Sequence, residues 1–285
     1  MRVILLSMLG CLAVHGARAE PSNNGSSASS TQALHGSAEV SYEGFVAGLH
    51  VTDMRVGAEL GPQGYKMGID FHVVGMAGAL LHAQNMALSQ GVWQGNRAVP
   101  LSYDSEGVFR GDPRKMLIEY PGGQPHVVAK ILPPSEPREP VPEALQRDTV
   151  DDLSAIAYLL KEVATTGRCD GKLNLFDGLR ASEIAAHTVG MEMLPPESRS
   201  SFSGPALRCD LEGRQIAGFP KDAGPDDMLR RVQHSSVWLA SMVPGMPPVP
   251  VLMSIEVRFL GHMTIYVTQA HEGARLAQFV PRLPE

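Results

Sequence analysis

The sequence predicts a mainly β protein: a single highly curved antiparallel sheet, an open barrel or β-spiral, with one central α-helix. Three observations carry this expectation. Apolar residues alternate with polar or small ones from Glu39 onward, the period of half-buried strands. Gly and Pro signals punctuate those runs at short intervals, as in an antiparallel meander. One segment with helical spacing, Val150 to Thr165, interrupts them. There is no βαβ rhythm and no repeat of fixed period beyond the strand-turn spacing itself.

The chain opens on a segment read as a secretion signal over residues 1–19. Arg2 supplies a positive start, Val3 to Val14 an apolar core, and Ala17-Arg18-Ala19 a small-x-small cleavage site before Glu20. That core is too short to span a bilayer, which takes about 20 residues, so no transmembrane anchor is expected. Cys11, after Met8-Leu9-Gly10, leaves lipoprotein processing as the alternative. Residues 20–38, rich in Ser, Asn, Gly and Ala, read as a flexible segment, and residues 39–285 as a single β-rich domain. The expected location is the periplasm.

Within that domain, Val40, Tyr42, Gly44 and Val46 open the first strand run, Leu49, Val51 and Val56 continue it, and Met67, Ile69, Phe71 and Val73 give the cleanest alternation. Leu81 to Trp93, Val99 to Phe109, Lys115 to Tyr120 and Val127 to Leu132 follow, with Pro121-Gly122-Gly123 as a hairpin turn. A linker over residues 133–148 carries Pro133, Pro134, Pro137, Pro140 and Pro142, too dense for helix or central strand. Thr149 is then the expected N-cap. Leu153, Ile156, Leu160 and Val163 make an apolar stripe that must be buried, and Gly167 is the stop. Lys172 to Phe176 and Leu179 to Glu192 are expected to form a hairpin around a two-residue Asp177-Gly178 turn. Phe202 to Asp210 and Arg214 to Phe219 are expected to form a second, joined near Glu212-Gly213. A polar stretch from Pro220 to Gln233 precedes the last two strands, Val249 to Leu260 and His262 to Ala270, turning at Gly261.

Cys169 and Cys209 are the only cysteines beyond the leader, and in an oxidising compartment they are expected to pair as a structural disulfide. Loss of Arg2 and Arg18 with the leader takes the formal net charge from −6 to −8, so a nucleic-acid partner has no electrostatic basis. Direct adhesion to anionic lipid is equally unsupported.

The helix start Asp151-Asp152-Leu153-Ser154, then Cys169, Leu175-Phe176-Asp177-Gly178-Leu179-Arg180, Cys209 and Ile216-Ala217-Gly218-Phe219 resemble in order the pattern of domain-of-unknown-function family 3108. Tyr42, Val46, Gly48 and Val51 resemble its opening strand, so the likeness runs from Val40 to Phe219. The family motif thus comprises Asp151, Leu153, Ser154, Phe176, Asp177, Gly178, Gly218 and Phe219. Leu179 departs from the first of two arginines and Ser182 from an aromatic, so neither carries shared binding chemistry. The resemblance implies a periplasmic protein with a long curved antiparallel sheet and undetermined activity. In organisation it is also distantly similar to alphaproteobacterial envelope-integrity β-spiral proteins.

Catalytic patterns are sparse. The sequence has no Gly-x-Ser-x-Gly elbow, zinc helix, phosphate loop or Cys-x-x-Cys pair, so no cofactor or metal is expected. His72 and His82 could meet across adjacent strands but lack a third ligand. His271-Glu272 reads as a solvated pair. Asp177 could serve as a general acid or base with Glu183 or Asp170 as its partner, against the simpler role of a turn residue. Arg180 could contact a ligand anion or pair with Asp177 or Asp152. Met67, Met76, Met86, Met242, Met246, Met253 and Met263 could line an adaptable cleft or simply fill the core. The leading expectation is a non-enzymatic periplasmic protein supporting the cell envelope, which binds an unknown envelope component (protein, glycan or lipid) in the groove of its sheet. The alternatives are a glycan hydrolase or lyase built on Asp177 and Glu183, and a periplasmic lipid carrier.

Overall fold

The computed structural model describes residues 36–133, 136–224, 227–257 and 261–281. The leader, Cys11 and most of the expected flexible segment lie outside the described residues. Thirteen antiparallel strands form one curved, open sheet: β1 (Gly36–Val46), β2 (Leu49–Leu60), β3 (Gly64–Val73), β4 (Ala83–Gln94), β5 (Arg97–Phe109), β6 (Asp112–Glu119), β7 (His126–Ile131), β8 (Gly171–Phe176), β9 (Ala181–Leu194), β10 (Gly204–Ala217), β11 (Gln233–Ala240), β12 (Val249–Val257) and β13 (Gly261–Glu272). Helix α1 (Gly75–Leu81) connects β3 to β4, and α2 (Asp152–Thr166) precedes β8. The spatial order is β7-β6-β5-β4-β3-β2-β1-β13-β12-β11-β10-β9-β8. Two meanders are therefore zipped together by the first and last strands, with Val40 opposite Ala270 and Val46 opposite Met263.

The α2 stripe explains the curvature. Leu153, Ala157, Leu160 and Val163 are buried in one cluster with Leu60, Tyr65, Met67, Ala87, Tyr103 and Ile118 from the first meander. The same cluster includes Leu207, Val237 and Leu239 from the second. A single helix can touch strands so far apart only if the sheet wraps around it. Burial of each large side chain in the stripe contributes roughly 1.5–3 kcal/mol. Cys169 and Cys209 are bonded, with Cα atoms 6.2 Å apart, and link the segment just after α2 to β10. Gly167 ends the helix at φ 69°, its N–H donating to the Val163 carbonyl.

Several expectations need correction. The N-cap of α2 is Asp151, whose carboxylate accepts the Ser154 N–H, whereas the Thr149 hydroxyl donates backward to the Gln146 carbonyl. The helix therefore starts two residues later than the periodicity suggests. β10 is one continuous strand: Glu212 and Gly213 stay paired with Ala185 and Ile184 on β9 and with His234 and Gln233 on β11, so the expected turn there does not form. β11 itself was hidden by its polar start, Gln233-His234-Ser235-Ser236. The Asp177-Gly178 connection is four residues long, Asp177 to Arg180, and only Gly178 takes positive φ, at 84°. α1 is a second helix where only one was expected, and it absorbs Leu81, so β4 begins at Ala83. β1 begins at Gly36, ahead of the alternation at Glu39. The last part of the expected Val249 to Leu260 strand, residues 258–260, lies outside the described residues.

The disulfide closes a 40-residue separation, worth roughly 4 kcal/mol on the chain-entropy model. Replacing Cys169 and Cys209 together with serine should lower the free energy of unfolding by about that amount in a urea titration. A change too small to resolve would contradict a bracing role.

Candidate functional site

The family motif converges on two adjoining places, and both are built around the start of α2. In the first, Asp151 is fully buried and its carboxylate is spent on hydrogen bonds: Oδ1 accepts the Ser154 N–H at 2.9 Å, and Oδ2 accepts the Ser154 hydroxyl at 2.6 Å and the Ser89 hydroxyl at 3.1 Å. The Tyr65 hydroxyl donates to Ser154 Oγ at 2.7 Å. Burial raises Asp151 above the usual carboxylate range, opposed by the Ser154 and Ser89 hydrogen bonds. Burial likewise raises the Tyr65 phenol. This network ties the helix to β3 and β4. Ser154 is itself fully buried, and its hydroxyl proton is directed to Asp151 within this network.

The second place is the β8–β9 corner. Asp177 Oδ1 accepts the N–H groups of Leu179 and Arg180 at 2.8 and 2.7 Å, an Asx-type turn. Its Oδ2 accepts from Arg180 Nε at 2.7 Å and Nη2 at 2.5 Å. Gly178 packs directly on Met116 of β6, where a Cβ would collide with the thioether sulfur. Gly218, at φ 76°, lies equally close to the Leu179 carbonyl and has no room for a side chain. Phe219 is buried beneath the Arg230 guanidinium, 3.9 Å from its ring centroid. The corner thus folds across to the first meander, and its glycines are required by contact.

Asp152 joins this corner. It lines a 330 Å³ pocket with Leu175, Asp177, Arg180 and Ser182. Asp152 keeps contact with solvent, yet the protein packed around it, followed by the Asp177 charge, raises it to about 6, with Arg180 opposing. Arg180, the guanidinium nearest Asp152 in this pocket, is engaged by Asp177 through Nε and Nη2, and Arg214 also lines the pocket.

The other expected residues are dispersed. Glu183 accepts from Arg214 Nη2 at 3.0 Å on the neighbouring strand. It lines a different pocket, with Lys172 and Asn174, so the two acids do not converge. Asp170 accepts from the Thr188 N–H and hydroxyl and from Arg168, contacts that hold it below the usual range. His72 pairs with Asp70 at 2.7 Å, while the backbone of His82 caps α1. No group of three or more metal-ligating side chains occurs among the described residues. Met67, Met242, Met246 and Met253 belong to or pack on the core cluster, whereas Met76 is exposed. His271 is exposed and Glu272 borders the cleft described next.

A larger space was not legible in the sequence. At the end of the sheet where β2 turns into β3, a 720 Å³ cleft is lined by Leu60, Tyr65, Gly91, Leu101, Pro244 and Gly245, with Glu59, Lys66 and Gln90 as polar edges. Tyr65 connects the two sites, since its ring forms part of the cleft wall while its hydroxyl is held by Ser154. The ring also packs on Trp93, 4.7 Å between centroids, and over Gly91, where a Cβ would collide with the phenol oxygen. Nothing in the local sequence of Tyr65 or Ser89 marks them as partners of a helix more than sixty residues away; strand alternation could only identify them as members of the sheet.

The raised Asp152 gives a pH prediction. A carboxyl whose folded value lies above its unfolded value loses stability as pH rises between the two, here from about 4 to about 6. Asp152→Asn should therefore melt at a higher temperature than wild type at pH 7, the gap closing as pH falls toward 4. A gap of constant size across that window would contradict the assignment.

No helix among the described residues is long and apolar enough to cross a membrane. No curated protein matches the chain. One solved structure, described as a "putative outer membrane lipoprotein-sorting protein domain" from Vibrio parahaemolyticus, aligns with a TM-score of 0.31 and 8% identity over 86% of this chain and 89% of its own. The family model for proteins of unknown function called DUF3108 matches residues 37–268, and with the motif residues in place across both meanders the chain belongs to that family.

Proposed function

We propose that this is a non-enzymatic protein of the periplasm that supports the cell envelope by holding a protein, glycan or lipid partner in the cleft at the rim of its curved sheet. The observation that carries the reading is how the polar motif residues are used. Asp151 and Ser154 are consumed by a buried network, Asp177 by its own turn and Arg180, and Glu183 by Arg214. A general acid or base must reach a substrate proton, and these acids are already committed to neighbours. The 720 Å³ cleft, by contrast, is within the ordinary size range of ligand sites and mixes apolar walls with a few polar edges. Because α2 fills the middle of the curve, the rim is where a partner can enter. The paired cysteines and the apolar leader support an oxidising, exported setting.

The test is recovery of the protein from the cell envelope under gentle conditions, followed by native mass spectrometry. A bound species is expected on wild type and lost from Leu101→Trp, which puts an indole into the cleft where Leu101 is now half-exposed. A species retained equally by both proteins would move the site away from the cleft. Turnover of a glycan abolished by Asp177→Asn would overturn the non-enzymatic reading.

A further inference from the structure

We infer that the end of the sheet opposite the cleft is a docking tip for the surface of a lipid bilayer that carries anionic headgroups. The tip is built from α1 and the β1–β2 turn. α1 reads Gly-Met-Ala-Gly-Ala-Leu-Leu, without a polar side chain, and none of its residues is buried. Met76 and Leu80 are 77% and 83% exposed, and they are spaced i, i+4, so they share one helix face. Leu49, 62% exposed, stands beside them at the start of β2. The two segments are joined: the Val74 N–H donates to the Val51 carbonyl, and Gly75 lies against the His50 carbonyl.

A helix of this length has little stability of its own, and here it buries nothing to gain any. It is held by its backbone. The Arg110 N–H donates to the carbonyls of Leu81 and His82 at one end, and the bond from Val74 holds the other. The fold thus fixes a row of large apolar side chains in the solvent rather than folding them inward.

Charge identifies what they meet. Arg110 follows the C-terminal end of α1 through those backbone bonds, and Arg199 reaches the other side of the tip, with Nη2 3.5 Å from the Gly48 carbonyl. Each guanidinium lies over an aromatic ring, Arg110 over Phe109 and Arg199 over Phe45. Arg110 has no carboxylate partner among the described residues, and Arg199 feels the charge of Glu197 without forming a direct ion pair with it. The acids in the same segments are Asp53, paired with His50, Glu197, which accepts from the Ser198 hydroxyl and the Arg199 N–H, and Asp112. Exposed apolar groups flanked by two guanidiniums that make no direct ion pair match an interface of acyl chains below phosphate headgroups.

The arrangement also orients the molecule. β2 runs from Leu49 at the tip to Leu60 in the cleft, roughly 35–40 Å at the usual strand rise. A tip seated on lipid therefore turns the cleft away from the membrane. The tip inference stands on its own residues and holds whether or not the cleft is occupied.

The test is co-sedimentation of the protein, purified as cells process it, with phosphatidylcholine vesicles prepared with and without phosphatidylglycerol. Wild type is expected to sediment with the anionic vesicles, and Met76→Ser with Leu80→Ser to remain in solution with an unchanged melting curve. Arg110→Gln and Arg199→Gln should each weaken binding to anionic vesicles about fivefold and leave the neutral vesicles unaffected. In a Leu80→Trp protein, indole emission should shift to the blue when anionic vesicles are added. The inference fails if wild type stays in the supernatant, if the double serine variant sediments as wild type does, if the indole emission does not move, or if the serines instead abolish a concentration-dependent dimer.

Discussion

The structure depends on the seating of one helix inside a sheet that would otherwise have nothing to curve around. α2 offers an apolar stripe to strands from both meanders, and its first turn is fastened by a buried carboxylate whose acceptor positions are filled from α2, β4 and, through Ser154, β3. An isolated charge at that depth would be very costly. Asp151 is tolerated because its hydrogen bonds arise only when helix and sheet are in register. A partly assembled core would leave the carboxylate unsatisfied, so the polar network selects one docking of the helix as well as stabilising it.

The remaining motif residues follow from the same constraint. A sheet wrapped around a helix still has two edge strands, here β7 and β8. The chain runs from β7 to α2 through the proline-rich linker, in which Arg138 bridges Pro220, and just beyond it Val150 forms a parallel bridge with Leu175 on β8. The corner at Asp177 to Arg180 then lies on Met116 of β6, with Gly218 directly behind it. Prolines in such a crossing withhold N–H donors that an exposed strand would present to other chains. The disulfide holds the far end of α2 to β10, so the helix is fixed at both ends by different chemistry.

Much of the fold was legible because it rests on local periods. Alternation from Val40 to Val73, the turn at Pro121-Gly122-Gly123 and the stripe from Leu153 to Val163 each announce themselves within a few residues. The errors share a cause. Gly213 reads as a turn but is extended because β9 and β11 hold it from both sides, and β11 begins with four polar residues that suggest a loop. α1 carries no amphipathic period because it has no buried face. Among the motif acids, the turn role of Asp177 was legible from Asp-Gly, whereas the buried role of Asp151 was not. A sequence cannot tell a carboxylate with free lone pairs from one whose acceptors are filled by Ser89, a residue on a strand 62 positions away.

The central claim is that α2 and both meanders form one cooperative unit, locked by the Asp151 network. Native-state amide hydrogen exchange tests it most directly, comparing wild type with Ser154→Ala. The account requires the α2 amides in wild type to exchange at the same free energy as those of β3, β4 and β10. In the variant, protection of all four elements should fall together by about 1–3 kcal/mol, as when a buried polar group loses its partner. Exchange of α2 through a separate, cheaper opening while the sheet remains protected, or a loss confined to the first turn of the helix, would contradict it.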